Sequence, residues 1–296
     1  MEPKIELSKT RDFGEIIADS FLFIRQNIKP LLSCFFTFCG FFLLAAGVAS
    51  IMQQIKMMDT LNNADGNFGQ GNTGFRTSYG IETILSIVFA LTGFIAIKVT
   101  ILSFMALYKE KGNIAPTNEE LWGYFKFYFF RIFGSAILNY LILIIGFIFC
   151  LIPGIYLYPI LGLIFAIIIV ENTSYGYAFN QSFRLIKENW WTIFGALFIS
   201  GLIVFVCSTV VNMPFQVVNV WSVFFHKAKH IHLSMLSIIM GTILKELAMV
   251  LYILPLVTLT ICYFSLAEAK DATGLMGRIN QIGTDSTDAD TPAEEY

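Results

Sequence analysis

Charge is scarce in this chain of 296 residues. Asp, Glu, Lys and Arg together make up 14% of it and hydrophobic residues 56%, whereas a soluble domain carries roughly 25% charged residues. The uncharged residues gather in long apolar blocks, which indicates lipid rather than water around much of the protein. The formal net charge is −2, and no basic stripe with interleaved aromatic residues is present, so we expect no nucleic-acid partner.

Patterns typical of metal, redox and catalytic sites are also missing. The five cysteines lie inside apolar blocks without CxxC spacing, so we interpret them as small buried hydrophobic residues. His226 and His230 are weak metal candidates, because no cysteine or carboxylate stands nearby and Lys227 and Lys229 would repel a cation. The chain has no nucleophile–base set, P-loop or dinucleotide-binding fingerprint, so we expect no catalytic residue, metal or cofactor.

The longest uncharged block covers residues 132 to 170. As a helix it would be roughly 58 Å long, which is enough for two crossings of a hydrocarbon core about 30 Å thick. Pro153 and Gly154 lie near its middle and fit a tight turn. The block therefore predicts a membrane hairpin that turns at these two residues.

The other apolar blocks extend this pattern to six membrane spans. We predict spans at about 30–53, 82–108, 132–152, 154–170, 190–212 and 240–267, and surface helices at about 10–29, 117–128 and 173–189. The predicted fold class is all-α, a polytopic helical membrane protein with six transmembrane helices as three surface-helix-plus-hairpin units. One membrane domain covers residues 1–270, with a kink at Pro255, and the acidic cytoplasmic tail 271–296 is predicted to be largely disordered.

The first surface helix is amphipathic. Its apolar residues are Phe13, Ile16, Ile17, Phe21, Ile24 and Ile28. Such a helix either lies in the headgroup plane or packs on other protein. Shifting it by 162 positions aligns Ser20, Phe21 and Asn27 with Ser182, Phe183 and Asn189, which predicts an internal repeat.

Two local signals add to this architecture. Thr117 and Glu120 have the spacing of a capping box, which predicts a helix start. Lys and Arg concentrate in the N-terminal segment, in the segments after spans two and four, and in the tail. The positive-inside rule then places both termini and all three surface helices in the cytoplasm.

Two polar residues inside predicted spans are candidates for a substrate or ion pathway. Lys98 lies about ten residues before the end of span two, a depth at which ionisable residues are costly and often functional. Snorkelling or pairing inside the bundle is the structural alternative. Asn139 in span three is expected to hydrogen-bond between helices. Candidates for lipid and interface contacts are Arg25, Lys29, Glu171, Arg184, Lys187, Trp190 and Trp191.

The motifs around the central hairpin resemble those of a bacterial membrane-protein family. They read PGIYLYPILG, VEN and YAFNQSFRLIKENWW, and contain Pro153, Gly154, Glu171, Ser182, Lys187 and Trp190. Over most of residues 10–275 the chain is similar to the membrane domain of glycerophosphodiester phosphodiesterases and to the UPF0259-type inner-membrane family. The resemblance implies a six-span protein of the bacterial cytoplasmic (inner) membrane and supplies no catalytic residue.

Three functions follow from these features as hypotheses. The first is a non-enzymatic membrane protein that binds membrane lipids or a protein partner, including a second copy of itself, through its cytoplasmic amphipathic helices. The alternative is a small-solute or lipid transporter in which Lys98 lines the path. A membrane-embedded enzyme ranks third, because no catalytic set of residues is recognisable.

Overall fold

The computed structural model describes residues 5–63, 80–149, 151–225 and 235–271, and within these ranges the regular structure is entirely helical. The helices are α1 (Phe13–Asn63), α2 (Ile81–Glu110), α3 (Asn118–Phe149), α4 (Leu151–Val170), α5 (Tyr175–Ile186), α6 (Trp190–Phe225), α7 (Met235–Leu247) and α8 (Ile253–Asp271), with a 3₁₀ segment, Ala248–Tyr252, between the last two. The predicted all-α fold class is confirmed.

Within the described ranges, six helical segments are long and apolar enough to cross a membrane. They are Phe13–Lys56, Ile81–Glu110, Asn118–Ile148, Ile152–Val170, Trp190–Val217 and Met235–Lys270. The protein is therefore a multi-pass membrane protein. Residues 272–296 of the predicted tail lie outside the described residues.

The first surface helix and the first span are two parts of α1. Asn27 has φ −117° and ψ 18°, which kinks the helix, and Pro30, which has no backbone N–H, follows it. The buried residues before the kink include Ile16, Ser20 and Phe23. Phe23 packs edge-on against Tyr108 with ring centroids 5.0 Å apart, whereas Phe21 is 46% exposed. This segment therefore packs on the bundle through Ile16 and Phe23, whereas Phe13, Phe21 and Ile28 of the predicted apolar face are exposed, so a contact with the headgroup plane stays a prediction.

The second predicted surface helix is the first part of α3, which continues without a break into the third span. The capping box is present at its start. The Thr117 backbone N–H donates to Glu120 Oε2 (2.8 Å), and the Glu120 N–H donates to Thr117 Oγ1 (3.4 Å). These two bonds satisfy N–H groups that have no acceptor inside the helix.

The central hairpin turns earlier than the sequence predicts. α3 ends at Phe149 and α4 begins at Leu151, so Pro153 and Gly154 lie in the first turn of α4 rather than in the turn itself. Proline is tolerated there because the first N–H groups of a helix have no intrahelical acceptor. Glycine is required for close packing, since a Cβ on Gly154 would lie 2.6 Å from Cδ1 of Phe147.

The last span is interrupted by the 3₁₀ segment Ala248–Tyr252. Pro255 accounts for this interruption, because it lacks an N–H and its ring would clash with the Leu251 carbonyl in a regular α-helix. The predicted kink is therefore present, on the N-terminal side of the proline.

The centre of the bundle is formed by α2, α4 and α8. Their continuously buried stretches are residues 99–108, 163–169 and 257–266. Around them, α1 packs along α2, α3 packs along α2 and α4, and α6 packs along α8. The outer helices leave many large apolar side chains exposed, such as Phe41, Phe130 and Phe205, as expected of a surface that faces lipid.

The grouping of these helices into three units stays a prediction. Two observations are consistent with it. Ser20 and Ser182 are both fully buried, and each donates its hydroxyl to a carbonyl of its own helix. The kink at Asn27 and the turn that ends at Asn189 each precede a span.

Candidate functional site

A cavity of about 550 Å³ lies within the membrane-spanning part of the bundle. Its walls come from α2, α3, α4, α6 and the junction of the 3₁₀ segment with α8. Its polar lining residues are Lys98, Asn139, Tyr140, Tyr158, Ser208, Thr209, Asn212, Gln216 and Tyr252. The rest of the lining is apolar, so the cavity has the size and character of a site for a small organic ligand.

Lys98 reaches this cavity from the middle of α2. It lies about 18 Å from the end of the helix at a rise of 1.5 Å per residue, which is near the midplane of a hydrocarbon core about 30 Å thick. Its Nζ lies 4.5 Å from the centre of the Phe165 ring and 5.4 Å from that of Tyr140. The Tyr140 hydroxyl oxygen is 3.5 Å from Nζ.

The described part of the chain offers Lys98 no carboxylate as an ion-pair partner. The electron-rich faces of the two rings attract a cation, by roughly 0.5–2 kcal/mol per contact. That attraction offsets only part of the cost of holding an ammonium group inside a membrane. The described partners of the Lys98 amine in the cavity are therefore aromatic rings and a weakly placed hydroxyl.

Asn139 lines the same cavity and connects three helices. Its Nδ2 donates to the Leu161 carbonyl of α4 at 2.9 Å, and its Oδ1 accepts from the Tyr175 hydroxyl of α5 at 2.8 Å. Burial raises the pKa of the Tyr175 phenol, so this hydroxyl stays protonated at neutral pH and remains a donor. The structure thus brings the two pathway candidates to one cavity, but gives Asn139 the bonds of a structural residue.

A further set of cavity residues, on α6, was not predicted from the sequence. Ser208, Asn212 and Gln216 recur at intervals of four along α6 and all line the cavity. This spacing places the three side chains on one helix face, where they form a polar stripe on an otherwise apolar span. The spacing alone was enough to predict this stripe. Toward the beginning of α6, the lining residues Leu197, Val204 and Phe205 are apolar.

The interface candidates lie around α5, at one end of the bundle. Glu171 Oε1 accepts from the Tyr263 hydroxyl at 2.8 Å, and the Arg184 carbonyl accepts from Lys270 Nζ. Trp190 Nε1 donates to the Tyr156 carbonyl at 3.1 Å. The bonds of Glu171 and Arg184 connect the end of α4 and α5 to α8, and the end of the bundle at which they lie is called the α5 end below.

The other interface candidates lie on the surface. Arg25, Lys29 and Lys187 are exposed, and Trp191 is 78% exposed. None of them lines the cavity. The apolar face of α5 is buried on the bundle through Ala178, Leu185 and Ile186. His226 and His230 lie outside the described residues.

Comparison of the chain with protein-family models, with curated proteins and with solved structures found no match. The chain is a multi-pass helical membrane protein whose candidate membrane spans enclose a cavity lined in part by Lys98.

Proposed function

We propose that the protein binds an anionic amphiphile, a membrane lipid or a lipid-like anion, in the intramembrane cavity and carries it between the membrane interface and the middle of the bundle. The observation that carries this proposal is Lys98. It is an ammonium group near the membrane midplane that lines a cavity of about 550 Å³ and has no described carboxylate partner.

The charge of the ligand follows from this cation. Lys98 is the one residue with a formal charge among the described lining residues. A ligand with a single negative charge would neutralise it inside a medium of low dielectric constant, where such a contact is stronger than in water. Phe165 and Tyr140 hold Nζ in position for this contact.

The apolar part of the ligand follows from the rest of the wall. Most of the lining is hydrophobic, with Phe94, Leu143 and Leu256 among the side chains that an acyl chain would contact. A small hydrophilic anion would make no contact with this apolar surface. An amphiphile covers the surface with its acyl chain and gains a burial free energy of about 25 cal/mol per Å². The combination therefore favours a lipid over a water-soluble solute.

This proposal favours the transporter hypothesis over lipid binding through the surface helices. The reason is that the apolar face of α5 is occupied by the bundle: Ala178, Leu185 and Ile186 are buried. The same proposal places the protein in the bacterial inner membrane with both termini in the cytoplasm. It also includes the resemblance to six-span inner-membrane families. Under it, the α5 end faces the cytoplasm.

Native mass spectrometry of the detergent-extracted protein tests the proposal. The probes are phosphatidylglycerol, which is anionic, and phosphatidylcholine with the same acyl chains, which has no net charge. We expect the wild-type chain to retain phosphatidylglycerol at least about tenfold better, because one charge-assisted contact is worth roughly 1.5–3 kcal/mol. Lys98→Met should lose this preference.

The matched control is Lys109→Met, the same change three turns later in α2. Lys109 is exposed and its Nζ lies over the Phe264 ring at 4.5 Å, so it is a cation near the interface that does not line the cavity. It should keep the preference. Equal retention of the two lipids by the wild-type chain, or an equal effect of the two substitutions, would refute the proposal.

A further inference from the structure

The polar stripe on α6 has the position of a headgroup path. α6 begins at the α5 end of the bundle, at Trp190. At 1.5 Å per residue, Ser208 lies about 27 Å and Gln216 about 39 Å from that start. Since the hydrocarbon core is about 30 Å thick, the stripe begins near the far edge of the core at Ser208 and extends into the interface opposite the α5 end.

The chemistry of the stripe is neutral. Its members are a hydroxyl and two carboxamides, and all three line the same cavity as Lys98. Asn212 Nδ2 donates to the Ser208 carbonyl at 2.7 Å, which leaves the Asn212 Oδ1 as an acceptor. Within the described residues, the Ser208 hydroxyl and the Gln216 amide have no hydrogen-bond partner. These groups both donate and accept, as is needed to bind hydroxyl groups.

We infer that Ser208, Asn212 and Gln216 form a subsite for the hydroxylated part of a lipid headgroup, so that the ligand is a monoanionic lipid with a polyol headgroup. This inference rests on the proposed function, since it assumes that Lys98 binds the anionic group of the same ligand. A headgroup that moves along the stripe exchanges its hydrogen bonds with water for bonds to α6, which reduces the penalty for entering the membrane. The ligand enters from the leaflet opposite the α5 end.

The test compares two lipids with the same single charge. Phosphatidylglycerol has two headgroup hydroxyls, whereas phosphatidylethanol has none, and both are monoanionic phosphodiesters. Retention of each lipid with matched acyl chains is measured by native mass spectrometry. We expect the wild-type chain to retain phosphatidylglycerol about tenfold better, as two neutral hydrogen bonds allow. The double variant Ser208→Ala/Asn212→Leu should retain the two lipids equally.

The matched control is Cys207→Ala, which changes a neighbouring exposed residue of α6 that does not line the cavity. It should keep the preference for phosphatidylglycerol. Gln216→Leu provides a second variant of the stripe at its exposed end, for the case that the double variant does not fold. It should lower the preference at least twofold.

The outcomes separate this inference from the proposed function. If the wild-type chain retains both lipids equally and Lys98→Met loses both, the headgroup subsite is refuted and the anion site stands. A preference that survives both stripe variants also refutes the subsite. If Lys98→Met retains both lipids as well as the wild-type chain does, the proposed function itself fails.

Discussion

The hydrogen bond between Asn139 and Tyr175 gives a quantitative test of how the cavity wall is held. Asn139→Leu removes two bonds, one to the Leu161 carbonyl and one from the Tyr175 hydroxyl. Tyr175→Phe removes the second bond alone. Side-chain hydrogen bonds between helices in membranes are worth about 0.6 kcal/mol on average and at most about 1.7 kcal/mol. Asn139→Leu should therefore lower the free energy of unfolding by roughly 1–3 kcal/mol.

A double-mutant cycle isolates the shared bond. With the single variants and Asn139→Leu/Tyr175→Phe, we expect a coupling free energy of about 0.6–1.7 kcal/mol. The assay is reversible unfolding in mixed detergent micelles, followed by the loss of helical circular dichroism. The control is Ser135→Ala, since Ser135 lies one turn away on α3 and donates to the Arg131 carbonyl of its own helix. Its coupling to Tyr175→Phe should be zero.

The result that would refute the structural role of Asn139 is a coupling indistinguishable from that of the control. A second outcome bears on function. If Asn139 acts through these two bonds, then Asn139→Leu should change stability while the preference for phosphatidylglycerol over phosphatidylcholine stays unchanged. A lost preference with unchanged stability would make Asn139 a ligand-binding residue instead.

Two further substitutions test the packing of the bundle. Arg11 Nε donates to Asp19 Oδ2 at 2.7 Å, and Asp19→Asn weakens this charge-assisted bond. The substitution should destabilise the protein by about 1.5–3 kcal/mol. An unchanged melting temperature in detergent would contradict this. Gly154→Ala places a Cβ 2.6 Å from the Phe147 ring and should lower the free energy of unfolding by about 1–3 kcal/mol. The control is Gly14→Ala, whose Cβ meets nothing within 4 Å and which should be neutral or stabilising. Equal effects of the two substitutions would show that α3 and α4 are not closely packed.

The number and type of the helices were predictable, but their exact turns and buried faces were not. The lack of charge over residues 132 to 170 requires two crossings. It does not locate the turn, because Pro153 is as compatible with the first turn of a helix as with a loop. The start of α1 is apolar on more than one face, and which face is buried depends on Phe104 and Tyr108 of α2, whose rings contact Phe23.

The candidate site was likewise predictable from the sequence only in part. Lys98 was recognisable from the cost of a charge at that depth, and the stripe on α6 from its four-residue spacing. The rings beside Lys98 were not, because Phe165 and Tyr140 come from two other helices and no local pattern marks a tertiary contact. The surface helices were readable as amphipathic, but α5 buries its apolar face through Leu185 on the bundle instead of in lipid.

The most direct test of the central claim is to map where an anionic lipid contacts the protein. A phosphatidylglycerol with a photoreactive group in one acyl chain is incorporated into vesicles with the wild-type protein, and the cross-linked peptides are identified by mass spectrometry. We predict cross-links to the cavity residues Leu143, Leu256 and Val204, and their loss in Lys98→Met. Cross-links confined to outward-facing residues such as Phe41 and Phe130, or unchanged by Lys98→Met, would contradict the account.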